Sequence, residues 1–420
     1  MTERAALERR LGGADAVVVG LASMIGAGVY AVFAPAAAAA GSALLVGLAL
    51  AAFVAYCNAT ASAQLAAQYP TSGGTYVYGR ERLGPWWGFV AGWGFVVGKT
   101  ASCAAMALTF AAYALPGPVW RERAVAAAVV VALTAVNLRG ITRTAGLARL
   151  LVAGSLATLA VVVVTVLVSG DADAERLTTG GVPDGVYGVL QSAGLLFFAF
   201  AGYARIATLG EEVRDPRRTI PRAIGVALGI TVLVYALVAV SALTALGSEA
   251  LAASATPLAS AVEAVGAAWA EPLVRIGAVL ASTGALLALI AGVGRTALAM
   301  AREADLPRVL AGVDPRTQVP HQAQVAVGAA VVLLVCTTDL RGAIGFSSFG
   351  VLTYYAVANA AAFTQRGDDR RHRRALNVAG LVGCVVLVAT LPVESVVAGL
   401  AMFAVGLVAR WVVLSRRSRS

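Results

Sequence analysis

A chain of 420 residues that is 59% hydrophobic and only 13% charged is neither a soluble globule nor a disordered polymer. Its formal net charge of +10 would suggest nucleic acid in a soluble protein. Here the arginines alternate between apolar runs and report membrane topology instead, so no nucleic-acid partner is expected.

The N-terminus, MTERAALERR, is polar and is read as lacking a cleavable signal. The stretch from Asp15 to Ser42, DAVVVGLASMIGAGVYAVFAPAAAAAGS, then organises the chain. A bilayer needs about 20 apolar residues, and Ala16 to Ala40 supplies more than that. Its middle, SMIGAG, resists helix: Gly26 and Gly28 cost roughly 1 kcal/mol each relative to alanine, and they permit backbone angles that other residues avoid. Unwound backbone in lipid is tolerated only against protein, a cavity or a ligand. The stretch is therefore either a place where bare N–H and C=O groups bind something, or a small-residue packing stripe.

Twelve apolar runs follow one another, over 13–36, 41–67, 84–115, 122–138, 144–168, 186–211, 220–246, 268–303, 321–338, 342–365, 375–391 and 393–413. The basic residues fall mostly on one side of this series, and the odd-numbered loops are poor in arginine. Arg4, Arg9 and Arg10 precede it, Arg80 and Arg82 follow the second run, and Arg139, Arg143 and Arg149 follow the fourth. Arg214, Arg217, Arg218 and Arg222, then Arg302, Arg308 and Arg316, then Arg366, Arg370, Arg371, Arg373 and Arg374 continue the pattern, which Arg416, Arg417 and Arg419 close. The other loops carry Asp171, Asp173, Glu175, Asp184, Glu249 and Glu394. By the positive-inside rule both termini are cytoplasmic, in a multi-pass protein of the cytoplasmic membrane. The cysteines, Cys57, Cys103, Cys336 and Cys384, lie in apolar runs without metal or disulfide spacing, as small buried hydrophobes do.

The sixth run again sets a glycine, Gly202, among aromatics between Phe197 and Tyr203. Runs one and six are five spans apart and cross in opposite directions. Interrupted helices at matching positions of two inverted halves point to a transporter site near the midplane. Half-helix N-termini suit an anionic group and unwound carbonyls suit an ammonium; a site offering both suits a zwitterion.

Four segments carry a resemblance: GLASMIGAGVY in run one, YPTSGGTYVYGRERLGPWWGFVAGWGF from Tyr69 to Phe95, FFAFAGYARIATLGEEVRDPRRTIPRAI from Phe197 to Ile224, and AMAREADLPRVLAGVDPRTQVPHQA from Ala299 to Ala323. In this order the chain resembles the amino acid–polyamine–organocation (APC) superfamily, closest to bacterial amino acid permeases and the cationic-amino-acid-transporter branch. The resemblance implies an all-α polytopic membrane protein of about 12 transmembrane helices, with the APC fold and broken helices 1 and 6. Its parts would be a tail over 1–12, a five-helix repeat over 13–168, its inverted counterpart over 186–365, two peripheral helices over 375–413 and a tail over 414–420. The substrate carboxylate would meet the backbone N–H groups of Gly26, Ala27 and Gly28. Its ammonium would meet the carbonyls of Met24, Phe198 and Ala201 beside Gly202, with the Phe198 ring as a lid. The Ser72–Tyr78 segment is read as turn chemistry in a loop. Glu211 and Glu212 are a solvated helix end or part of an inner gate.

No Asp or Glu lies in the middle of any run. A cationic side chain or a polyamine would want a buried carboxylate, so neutral amino acids are favoured over basic ones. Among the basic residues within runs, Arg205 and Lys99 are singled out, Lys99 being the only lysine in the chain. Many family members carry a fifth-span lysine whose ammonium stands where sodium binds in sodium-coupled relatives. Here that position is Ser155, so Lys99 becomes a candidate coupling-proton carrier, with a structural role or neutralisation of a substrate carboxylate as alternatives. The carbonyls of Ala22 and Ile25, with Ser282 and Thr283, would resemble a sodium site; a proton ranks ahead of sodium. No cofactor, metal or catalytic constellation is evident, so the expectation is a permease rather than an enzyme, with a non-transporting amino acid sensor or a cationic amino acid or polyamine transporter as the alternatives.

Overall fold

A computed structural model describes residues 11–70, 73–140, 145–179, 181–207 and 213–417. The expectations placed on Arg4, Arg9, Arg10, Ser72, Arg143, Glu211, Glu212 and Arg419 fall outside these residues. The first half comprises α1 (Gly13–Met24), α2 (Gly28–Ala31), α3 (Phe33–Ala40), α4 (Leu44–Gln68), α5 (Gly74–Leu83), α6 (Pro85–Ala114), α7 (Val119–Leu138), α8 (Ala145–Val168) and α9 (Arg176–Thr179). The second comprises α10 (Gly185–Phe200), α11 (Ala204–Ala207), α12 (Pro216–Ala253), α13 (Pro257–Ala264), α14 (Glu271–Arg302), α15 (His321–Thr337), α16 (Leu340–Phe363), α17 (Arg374–Thr390) and α18 (Val393–Arg417). Among the described residues there is no strand, only an isolated bridge between Leu11 and Val213.

The molecule is an all-α polytopic membrane protein. Seven helical stretches among the described residues are long and apolar enough to cross a bilayer. Every apolar run coincides with a helix or a broken series of helices, run one becoming α1 to α3 and run six α10 and α11. Large aliphatic side chains face outwards: Leu233 is 61% and Leu333 63% exposed. In water such a surface would be costly; against lipid tails it costs nothing.

Two local expectations are corrected. Ser72–Tyr78 was read as a turn, yet Gly74 onwards forms α5, whose Tyr76 and Tyr78 are buried. The tyrosines pack inwards, which a solvated turn would not reward. Cys57, Cys103 and Cys384 are buried as expected, but Cys336 is exposed on α15, because an apolar run in lipid need not have a buried face on every side.

Helices pack closely where side chains are absent. On α6, Gly94 and Gly98 form a G-x-x-x-G step that meets Gly350 of α16. A Cβ at Gly350 would lie 2.6 Å from the Gly94 carbonyl oxygen and 2.8 Å from the Gly98 Cα. Small-xxx-small steps permit this approach. A polar seam joins α4 to α16: the Asn359 amide donates to the Asn58 Oδ1 at 2.6 Å, and Gln365 donates to Gln68 at 2.8 Å.

At one end of the bundle the Asp305 carboxylate, its side chain 5% exposed, accepts from the Tyr76 hydroxyl at 2.8 Å and Arg80 at 3.1 Å and forms an ion pair with Arg410 at 3.1 Å. The Arg410 guanidinium also lies over the Trp86 and Phe89 rings, at 4.9 and 4.7 Å. The outermost helix, α18, is thereby fastened to α5, α6 and the segment after α14.

The Gly350 contact is testable. Gly350→Val should lower the thermal midpoint of the detergent-purified protein by the equivalent of about 1–3 kcal/mol, the usual cost of overpacking. Gly154→Ala, whose new Cβ meets nothing within 4 Å, should not lower it.

Candidate functional site

The first membrane helix stops because Ile25 takes φ −83° and ψ 60°, outside the helical region. Helix resumes at Gly28, so Ile25, Gly26 and Ala27 are unwound between α1 and α2. Neither Gly26 nor Gly28 has positive φ. The expectation that these glycines supply unusual backbone angles is therefore replaced by another use: they permit close approach. A Cβ at Gly28 would stand 3.0 Å from the Ala199 Cα and 3.5 Å from the Phe198 ring, and one at Gly26 would stand 3.1 Å from the Ala285 Cβ.

The second break follows α10, which ends at Phe200; Ala201, Gly202 and Tyr203 turn before α11 begins. A Cβ at Gly202 would collide with the Ser23 carbonyl and reach 2.6 Å from the Met24 nitrogen. The two breaks therefore touch, backbone against backbone, at the one residue type that allows it. Met24, Gly26, Ala27, Gly28, Phe198, Ala201 and Gly202 are all drawn into this one region. Phe198 is 7% exposed, its ring edge against Gly28.

Unwinding releases carbonyls, and the protein answers two of the three assigned to a substrate ammonium. The Tyr235 hydroxyl of α12 lies 2.6 Å from the Met24 oxygen and 3.1 Å from that of Ala199. A hydroxyl has one proton, so it bonds one of these at a time while sitting within reach of both helices. Ala201 accepts from the Lys99 Nζ at 3.3 Å and the Tyr355 hydroxyl at 3.4 Å. Each carbonyl has two lone pairs, so Met24 retains acceptor capacity beside Tyr235. Sequence reasoning did not find Tyr235 or Tyr355; the available signal was a tyrosine within an apolar run, whose hydroxyl needs a partner when buried.

Lys99, on α6 and 7% exposed, points to the second break. Among the described residues no carboxylate forms an ion pair with it. Ser155 of α8 is 3% exposed and lines a small pocket with Ala22 and Ile25 of the first helix. The α14 wall of that pocket is Ala281, Gly284 and Ala285, without Ser282 or Thr283. Thr283 instead donates to the Val279 carbonyl at 2.8 Å. Ser282, its neighbour on α14, is fully buried and its hydroxyl has no hydrogen-bond partner among the described residues. Arg205 stands apart: it lies on α11 with an exposed side chain, its backbone N–H on the Gly202 carbonyl at 3.0 Å.

The sequence is similar to those of known permeases and transporters. The chain matches the amino acid permease family over residues 11–413. An uncharacterized transporter of Mycobacterium tuberculosis is 61% identical, across 98% of this chain and 93% of the relative. Cationic amino acid transporter 7, chloroplastic, of Arabidopsis thaliana is 28% identical across 85% of this chain and 65% of its own. The branched-chain amino acid permease BcaP of Bacillus subtilis is 24% identical across 96% and 92%.

Tyr235→Phe keeps the ring and removes the hydroxyl shared by the two breaks. It should destabilise the purified protein by about 1–3 kcal/mol, the cost of an unanswered buried carbonyl, read as a lower thermal midpoint. An unchanged midpoint would mean the hydroxyl holds neither break.

Proposed function

The chain belongs to the amino acid permease family, and from that premise we propose that it is a secondary active transporter of neutral amino acids, working by alternating access and coupled to a proton. It is a transporter rather than an enzyme. The observation that carries the finer reading is the meeting of the second break with the end of α1, where the Gly202 backbone abuts Ser23 and Met24 just before the first break. Paired helix breaks of this kind mark substrate sites in transporters built from inverted repeats. In this reading 13–168 and 186–365 are the two repeats, twelve spans cross the cytoplasmic membrane, and both termini are cytoplasmic.

The substrate carboxylate takes the N–H groups of Gly26, Ala27 and Gly28 at the start of the helix that resumes after the first break. The ammonium takes the carbonyl of Phe198 and the remaining lone pair of Met24, and the Phe198 ring closes over both. Neutral side chains are favoured because no carboxylate pairs with a cation in this region among the described residues, although one relative bears the name of a cationic amino acid transporter and another that of a branched-chain permease. Proton coupling is assigned to Lys99, since the fifth-span position holds Ser155, with a proton ranked ahead of sodium.

Uptake of neutral amino acids by proteoliposomes tests the transporter reading against that of a sensor. Gly28→Leu should abolish uptake and binding, because its side chain would occupy the space between Ala199 and the Phe198 ring. Phe198→Ala should weaken binding less, since the backbone groups remain; normal binding by Gly28→Leu would place the substrate elsewhere.

The coupling role has its own test. Lys99→Met should retain exchange of amino acid between two filled compartments and lose accumulation driven by a pH gradient. Accumulation equal to that of the unmodified protein would remove Lys99 from the coupling step.

A further inference from the structure

In its protonated form Lys99 has a consequence for selectivity that is separate from any coupling role. Its stem arises from α6, and its Nζ reaches across to the Ala201 carbonyl, one of the acceptors released by the second helix break. The Tyr355 hydroxyl reaches the same oxygen from α16. Behind this pair the surroundings are neutral: Gly98 packs on Gly350, and Ser102 bonds Ser347 at 2.6 Å. Among the described residues no carboxylate forms an ion pair with Lys99. The protein has thus spent a freed carbonyl, the natural seat of a cationic ligand, on a cation of its own.

We propose that Lys99 is a charge filter: its ammonium, fixed on the Ala201 carbonyl, excludes amino acids and polyamines with cationic side chains while admitting neutral ones. The inference rests on the substrate site described under Proposed function. A zwitterion brings no net charge into this volume, and its carboxylate offsets its ammonium. A cationic side chain brings a second positive charge with no acidic group to receive it. Two like charges about 7 Å apart at an effective dielectric of about 20 disfavour binding on the order of 50-fold. Removing the ammonium frees the Ala201 acceptor as well, so the same substitution both lifts the repulsion and exposes a carbonyl to an incoming cation.

The test uses pairs of amino acids matched in shape and different in charge: citrulline with arginine, and norvaline with 2,4-diaminobutyrate. Each is titrated against the purified full-length protein, and the ligand-induced rise in thermal midpoint is read as an affinity. The unmodified protein should prefer the neutral member of a pair on the order of 50-fold. That ratio should fall at least tenfold in Lys99→Met and in Lys99→Gln. Two pairs of different length prevent pocket size from deciding the result. If neither neutral member stabilises the protein, the amino acid site itself is overturned and the filter with it. If the neutral members bind and their cationic partners bind equally well in the unmodified protein, the filter alone is overturned, with no variant required. A preference that persists undiminished in a folded Lys99→Met or Lys99→Gln protein would also overturn it, assigning the exclusion to another group.

Discussion

Every carbonyl released inside a membrane has to be answered, because lipid offers no donor and each unanswered group costs several kcal/mol. This molecule opens two helices, at Ile25–Ala27 and Ala201–Tyr203, and answers them from outside the broken segments. Tyr235 on α12 supplies a hydroxyl to Met24 and Ala199, and Lys99 on α6 with Tyr355 on α16 supplies two donors to Ala201. The breaks are therefore not loose joints. They are held by helices that remain continuous around them, and one hydroxyl lies within reach of both. Movement of either broken helix must exchange these bonds, which links the conformation of the site to the packing of α6, α12 and α16.

Close approach is the second constraint, and glycine meets it in two different settings. At Gly202 a Cβ would strike the Ser23 carbonyl, so the two breaks can meet only without one. Between α6 and α16, Gly94, Gly98 and Gly350 let two helices cross almost backbone to backbone. That second contact sets the distance from the α6 axis to the site, and with it the reach of Lys99. A frame built from small residues has little to hold its periphery, and Arg410 shows how α18 is retained. Its charge is paired with Asp305 while its flat face lies on Trp86 and Phe89, a combination that a guanidinium offers and an ammonium does not.

Much of the fold was legible in the residues because its determinants are local. Apolar length gave the runs, and each became a helix within a few residues of its expected ends. SMIGAG and the Phe197–Tyr203 stretch signalled their breaks through composition, although the first break is made by the ψ of Ile25 rather than by a left-handed glycine. The surroundings of single helix positions were less legible. Ser282 of α14 is fully buried with its hydroxyl unpaired among the described residues, whereas the adjacent Thr283 bonds the Val279 carbonyl of its own helix. Successive helix residues are about 100° apart, so neighbours of similar hydropathy meet different surroundings.

What the sequence by itself determined was the class of molecule, the apolar runs that become helices, the two places where helix would fail and the one lysine available within an apolar run. Those follow from hydrophobicity and backbone preference over short windows, which each segment carries with it. Only the tertiary structure decided that the two breaks abut through Gly202, that Tyr235 serves both, and that Lys99 sits on the Ala201 carbonyl. These pairings join residues from 36 to more than 200 positions apart. They depend on how far each helix is rotated and where it crosses its neighbours, quantities set by packing across the whole bundle and written in no single stretch of the chain.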